Sequence, residues 1–184
     1  VANPFSSLQK PVRESTPPEK KMPTPTLASS FYDFLQGRYI ATLATQNADG
    51  TAHLTAVWYL FDSGYLYVGT SSKSRKARNA AARPNASLMV DARKPGKERG
   101  VTVAGKVEVI SGNQAQEINR RIESRYLSAA AMSDPQVGPI FAAFDDVTIR
   151  LTPMSWTTWD MAVLDAQAFG GRLGGTPGYM LPLD

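Results

Sequence analysis

The sequence predicts a mainly β (α+β) fold, a small six-stranded antiparallel barrel with flanking helices, carried by residues 28–160 of a 184-residue chain. Three observations lead there. Apolar and polar residues alternate in short runs, the period-two signature of half-buried strands. Short turn sequences join the first runs, which implies antiparallel neighbours. One clear helical segment interrupts the strands, and the longest strand carries a central Gly.

The elements follow in order. Residues 1–27 form an arm in which Pro4, Pro11, Pro17, Pro18, Pro23 and Pro25 stand among Lys, Glu, Ser and Thr. Such a segment buries too little apolar surface to offset its ordering entropy, so a flexible arm is expected. SSFYDFLQGR, from Ser29, reads as a short helix with Phe31, Phe34 and Leu35 on one face. YIATLAT alternates as a strand, and Asn47-Ala48-Asp49-Gly50 turns the chain. HLTAVWYLF is the second strand, Asp62-Ser63-Gly64 the next turn and YLYVGT the third strand, which together make a meander.

Ser74 to Arg83 reads as a helix stopped by Pro84. ASLMVDA is the fourth strand and GVTVAGKVEVI the fifth, with Ala104-Gly105 marking a bend or bulge. Asn113 is expected to cap a helix whose Ile118, Ile122 and Leu127 share a stripe. A shorter helix follows around Pro139 to Phe144. VTIRLTPMSWTTW is the sixth strand, ending near Pro153, and residues 161–184 are a Gly-rich extension that orders on contact.

Composition excludes whole classes of chemistry. With no cysteine, disulfide scaffolds, thiol nucleophiles and thiolate metal sites all fall away. A single histidine, His53, removes multi-histidine metal sites and argues against a hydrolytic triad. No paired carboxylates sit at spacings that suggest glycosidase work; Asp145 and Asp146 read as turn residues. There is no apolar run long enough for a transmembrane helix and no secretory start, so a soluble, cytoplasmic protein is expected.

Charge is unevenly placed. Ten of the twenty Lys and Arg lie between Lys73 and Lys106, against only Asp91 and Glu98, so that segment carries +8 within a net +4 chain. A basic sector of this kind calls for an anionic partner. The segment from Gly69 to Asn79 says which anion: a strand ends, hydroxyl residues follow, and a helix rich in cations begins. Free N–H groups and the positive dipole end at a helix start suit a phosphate, and Ser, Arg and Lys add donors. Neither a Walker loop nor a Gly-x-Gly-x-x-Gly fingerprint is present. A solvated basic helix with an ordinary Ser cap would use the same residues. Beside it, Trp58, Tyr59, Tyr65 and Tyr67 with Thr55 and Thr70 offer a surface for a flat heteroaromatic ring, or else core and subunit contacts.

Taken together, YIATLATQNADGTAHLTAVWYLFDSGYLYVGTSSKSRKARNAAARPNASLMVD and the long GVTVAGKVEVI strand resemble the pyridoxamine 5′-phosphate oxidase-like split β-barrel superfamily. The resemblance covers about residues 30 to 160 and implies a homodimer with a flavin between the subunits. It places Lys76 and Asn79 at the phosphate grip of FMN or a deazaflavin coenzyme, with Ser74 and Arg75 beside them. Thr55, Ala56, Val57 and Trp58 would lie along the ring, Thr70 and Ser71 at its inner edge, and Trp156 and Trp159 would approach from the partner. The Trp-x-Gly-x-x-x-Arg-Leu motif of true pyridoxamine phosphate oxidases is missing; residues 153–160 read PMSWTTWD, which argues against vitamin B6 oxidation.

The expected activity is therefore that of a flavin-dependent oxidoreductase, with FMN or a deazaflavin supplying the hydride and a small molecule stacked on the ring. A flavin or haem carrier of the same fold is the alternative, with His53 or a tyrosine as axial ligand in the haem case. A nucleic-acid-binding barrel is the third reading, which the compactness of the basic cluster disfavours. No catalytic acid or base is evident in the sequence, and no metal site.

Overall fold

The computed structural model describes residues 26–182, so nearly all of the expected N-terminal arm lies outside it. Helix α1 (Ser29–Leu35) buries Phe34 and Leu35. Strands β1 (Ala41–Gln46) and β2 (Ala52–Val57) form the first hairpin, β3 (Leu60–Asp62) and β4 (Tyr65–Thr70) the second. Ser63 and Gly64 both have positive φ, the geometry of a two-residue hairpin turn that Gly favours. Helix α2 (Arg75–Ala82) leads into β5 (Asn85–Ala92) and β6 (Arg99–Ser111). Helices α3 (Gly112–Tyr126), α4 (Ala129–Ser133) and α5 (Gly138–Phe144) precede β7 (Val147–Asp160), and α6 (Met161–Ala168) and α7 (Arg172–Gly175) end the fold.

The protein is mainly β with flanking helices, built on one antiparallel sheet of seven strands in the order β2-β1-β5-β6-β7-β4-β3. Six strands were expected; the run HLTAVWYLF is in fact two, divided at Trp58-Tyr59. The division also ends the expected meander, because β2 pairs only with β1 and β3 only with β4, at opposite ends of the sheet. A flat sheet of seven strands would hold its edges about 29 Å apart. Two residues span only ~10 Å. The sheet must therefore curl until its edges nearly meet, although β2 and β3 do not pair and the barrel is not closed.

Strand alternation fills the interior. Leu43 from β1, Leu66 and Val68 from β4, Leu88 and Val90 from β5, and Val101 and Val103 from β6 are almost fully buried in one core. A second cluster lies on the outside of the sheet, where Ala115, Ile118 and Ile122 of α3 meet Leu60 and Ile110. Asn113 does not cap α3: the helix begins at Gly112, after Ser111, because Gly112 takes the positive φ that turns the chain out of β6. Helix α4 was not expected at all; its cap is Ser128, which accepts from the Ala131 amide.

The sixth expected strand does not stop at Pro153. It continues to Asp160 because Pro153 falls at an irregularity: Gly105 pairs with Pro153 but Ala104 with Ser155, leaving Met154 as the extra residue of a bulge. A Cβ on Gly105 would overlap the carbonyl of Thr152, so only Gly lets the two backbones approach. Trp156 and Trp159 therefore lie within β7 rather than beyond its end. The extension after 160 is ordered in its first part, where the buried Asp165 carboxylate accepts from the amides of Leu173 (2.9 Å) and Gly174 (2.8 Å).

Gly105→Ala should lower stability by about 1–3 kcal/mol through overpacking. Urea denaturation should show this as a reduced midpoint at unchanged slope; a wild-type midpoint would mean that the bulge tolerates a side chain. Tyr126→Phe should cost roughly 1–3 kcal/mol in the same assay, because its hydroxyl donates to the Tyr39 carbonyl (2.8 Å) and accepts from the Tyr59 amide at the bridge between β2 and β3.

Candidate functional site

The site begins with the cap of α2. Ser74 holds extended backbone geometry and its hydroxyl accepts from the Ala77 amide (3.2 Å), while Arg78 N–H donates to the Ser74 carbonyl. The amides of Arg75 and Lys76, in the first turn, have no intrahelical acceptor. The hydroxyl-rich loop ahead of the helix is anchored from the far side: Ser72 donates through its amide (2.5 Å) and its hydroxyl (2.6 Å) to the Asp146 carboxylate. Those bonds hold the Asp146 carboxyl below the usual carboxylate range. Thr70 is buried, and its hydroxyl donates to Ser74 (3.1 Å).

Half of the basic sector is engaged in structure. Arg83 donates to the Gln46 carbonyl and to Asn79, Arg78 to the Lys73 carbonyl, and Lys106 to Asn85. Arg93 pairs with Asp91, and Arg99 lies over the Phe31 and Phe34 rings while pairing with Asp160. Lys76 is different. It is half-buried and makes neither an ion pair nor a side-chain hydrogen bond among the described residues; the charge that faces it is Asp145.

Lys76 lies on the wall of a cleft of about 540 Å³, with Ala56, Val57, Trp58 and Thr70 on the same wall set. Five residues singled out in the sequence thus converge on one cavity. Ile40, Gly69, Phe141 and Asp145 complete it. The aromatic side is ordered by stacking: the Trp58 ring lies parallel to Tyr126 at 4.9 Å and to Phe141 at 5.6 Å. The Asp145 carboxyl is raised, first by burial and then by Asp146, with Lys76 pulling the other way.

The remaining candidates sit around this cleft or away from it. Thr55, on the outer strand β2, shares a hydrogen bond of 3.1 Å with His53. The Ser71 hydroxyl accepts from the Lys73 amide, and Arg75 is exposed. Asn79 is 5% exposed, and its amide donates to Thr45 and Asn47 and accepts from Arg83, so it ties α2 to β1 with both N–H donors engaged. Trp156 packs edge-on to Phe61 and Trp159 crosses Gly100; neither lines the cleft within one chain. A slightly larger cleft of about 590 Å³ lies over the bulge, between Thr45, Ser87, Ala104 and Met154, with no charged residue in its wall.

Sequence reasoning missed Asp145, Phe141, Tyr126 and Ile40. Asp145 and Asp146 carried only a turn signal, and nothing local shows that one carboxylate anchors the Ser72 loop while its neighbour faces Lys76. Phe141 was placed in a short helix, but its parallel contact with Trp58 joins elements 83 residues apart and has no trace in periodicity.

What the arrangement can do is bind an anion at a helix start beside an aromatic-walled slot. Comparison with known proteins shows the family and the fold. The family model described as pyridoxamine 5′-phosphate oxidase matches residues 28–160. A conserved hypothetical protein of Mycobacterium tuberculosis is 25% identical, with a TM-score of 0.63 over 79% of this chain and 92% of its own. An F420 reductase shares the fold at 24% identity and a TM-score of 0.55, covering 68% of this chain and 94% of its own. The haem storage protein of Vibrio cholerae does so at 17% identity and a TM-score of 0.55, covering 72% and 92%. No curated protein sequence matches the chain.

Because the Asp146 carboxyl is depressed in the folded chain, its contribution to stability is present above the ordinary aspartate value of 3.8 and is lost as pH falls through the lower folded value. Asp146→Ala should therefore speed amide exchange at Ser72 at neutral pH, and wild type should approach the variant only in strong acid. Equal exchange at neutral pH would show that the loop holds without this carboxylate.

Proposed function

The chain belongs to the pyridoxamine 5′-phosphate oxidase family, and on that premise we propose that it is a flavin-dependent oxidoreductase, using FMN or a deazaflavin coenzyme, that works as a homodimer. The observation that carries this is the half-buried, unpaired Lys76 at the start of α2, in one cleft with the aromatic wall of Trp58. A half-buried ammonium with no hydrogen-bond acceptor is a ready partner for an anionic group brought into the cleft. A flavin or deazaflavin phosphate is such a group, and its ring needs the flat apolar wall that the cleft provides.

In this reading Lys76 and the first amides of α2 hold the phosphate, with Ser74 keeping the helix start in shape and Arg75 adding outer charge. Ala56, Val57 and Trp58 orient the ring and keep water from one side of it, and Thr70 borders the edge. Asn79 acts indirectly, by fixing α2 against β1. The bound ring supplies hydride chemistry, which this chain has no side chain to supply.

A second copy is part of the proposal. The outer half of β7 leaves Met154 and its hydroxyl neighbours exposed, and Leu54 on β2 is 63% exposed. Covering that surface would also bring Trp156 and Trp159 of one protomer toward the cleft of another. The F420 reductase of this fold supports the deazaflavin form. The haem storage protein keeps haem as the competing ligand, although His53 is not in the cleft wall.

Titration of the purified chain with FMN, a deazaflavin coenzyme and haemin, followed by absorbance, tests the assignment. Saturable binding of FMN or the deazaflavin is expected, and Lys76→Ala should weaken it about 10- to 100-fold, the loss of one charged hydrogen bond of about 1.5–3 kcal/mol. Lys73→Ala, on the exposed loop, should change it little. A Soret band with no flavin binding would move the function to haem handling, and unchanged affinity in Lys76→Ala would remove the phosphate from α2.

A further inference from the structure

Behind the cleft lies a second cavity of about 360 Å³, lined by Gln116, Asn119, Arg120, Glu123 and Asp145. Asp145 is a wall of both. Its place is fixed by Asn119 of α3, whose amide donates to the carbonyls of Asp145 (2.8 Å) and Val147 (3.2 Å) and accepts from the Thr148 hydroxyl (2.6 Å). The carboxyl rests against Gly69, where an added Cβ would come within 3.0 Å of Asp145 Oδ2.

Glu123 stands one helical turn beyond Asn119 on α3 and opens into the same cavity. It is 3% exposed, and among the described residues it has neither an ion pair nor a hydrogen-bond donor. The Arg120 guanidinium, which could have paired with it, donates instead to the Gln116 carbonyl (3.3 Å). Burial of a carboxyl without a donor favours its protonated form. Two carboxyls that face one another across a small cavity also resist ionising together.

We propose that Glu123 and Asp145 form a coupled carboxyl pair that keeps a proton at the wall of the cleft, and that Asp145 hands this proton to a molecule bound there. The identity of that molecule rests on the flavin reading above; the pair itself does not. In the transfer the O–H bond of Asp145 breaks, a bond from the same proton to a basic atom of the ligand forms, and no electron changes hands. Lys76 from α2 stabilises the aspartate left behind. Asp146 beside it and Glu123 from α3 oppose that charge, so Asp145 recovers a proton from water in the second cavity, with Arg120 limiting the charge at Glu123. Burial raises both carboxyls in the resting chain, joined at Glu123 by the charge of Asp145 and at Asp145 by that of Asp146, in line with this. Glu123 acts through Asp145 and is a positioning residue.

Carboxyl carbon-13 NMR titration of the full chain, without any ligand, tests the pair. Glu123 and Asp145 should both titrate above the ordinary carboxylate range. Glu123→Gln should move the Asp145 midpoint down, and Asp145→Asn should do the same to Glu123, with neither variant losing melting temperature at neutral pH. An Asp145 midpoint in the ordinary range, or one indifferent to Glu123→Gln, overturns the proposal; should one variant fail to fold, the reciprocal one decides. The affinity for FMN and for the deazaflavin, measured against pH, reads the proton at the cleft. It should fall as Asp145 ionises, fall at lower pH in Glu123→Gln, and stay flat in Asp145→Asn; a flat wild-type curve overturns the placement. If neither ligand binds, the flavin reading fails, and the NMR titration still decides the pair.

Discussion

The fold depends on a two-residue bridge. Trp58 and Tyr59 join β2 to β3, the two edges of a seven-stranded sheet, and that short reach obliges the sheet to curl. Helix α3 fastens the bridge from outside. Tyr126 bonds to both backbone groups of Tyr59 and to the Tyr39 carbonyl, and Arg125 reaches the carbonyls of Leu35 and Gly37 while lying over the Tyr59 ring. The Tyr59 hydroxyl, fully buried, donates to the same two carbonyls. Backbone groups that a strand break would orphan are thus satisfied by side chains from α3, which lets an interruption sit in a buried place.

The candidate site is a consequence of that bridge. Where the edges nearly meet, the end of β2 and the end of β4 face each other across a gap rather than pairing. The gap is the cleft, walled by Ala56 to Trp58 on one side and by Gly69 and Thr70 on the other. The chain leaves β4 there and starts α2, so Lys76 arrives at the same place. Trp58 belongs to both stories: its position holds the bridge, and its ring, stacked on Tyr126, gives the cleft a flat wall. A site at such a seam needs no residues beyond those that the topology already brings together, and electrostatics then distinguishes it. Half the cations of the basic sector have partners in the structure, whereas Lys76, half-buried, faces only a carboxyl whose own ionisation is disfavoured.

The bulge at Gly105 and Met154 serves the other end of the molecule. It lets Pro153 sit inside a long strand without a missing ladder bond in the regular register, and carries β7 on to Asp160. The aromatic residues of that extension pack on Phe61 and across Gly100, leaving the hydroxyl side chains of Thr157 and Thr158 outward. Beyond it, Asp160 caps α6 and Asp165 closes the turn into α7, so the last segment is held by two carboxylates on backbone amides rather than by a core of its own.

Local chemistry made much of this legible. Strand alternation, the Asp-Ser-Gly turn, the Ser74 cap and the Ala104-Gly105 irregularity are each written within a few residues, because the forces that produce them act over one turn or one pleat. The cation-rich start of α2 and the run from Ala56 to Trp58, which share one cleft wall, were readable for the same reason, and through family resemblance. What the sequence could not show is which neighbours those pieces acquire. The break at Trp58-Tyr59 is visible only once Tyr126 and Arg125 arrive from α3, since nothing between Leu54 and Phe61 lacks strand character. Asn79 gives no sign in the sequence of the bonds to Thr45, Asn47 and Arg83 that fix α2 against β1. Asp145 and Asp146 look alike in the chain, yet burial raises one carboxyl and two hydrogen bonds from Ser72 lower the other. The sequence by itself determined most of the elements and the chemistry available in them. Tertiary structure decided which polar groups are already satisfied, and so which remain to meet a ligand, because that depends on partners brought in from distant parts of the chain.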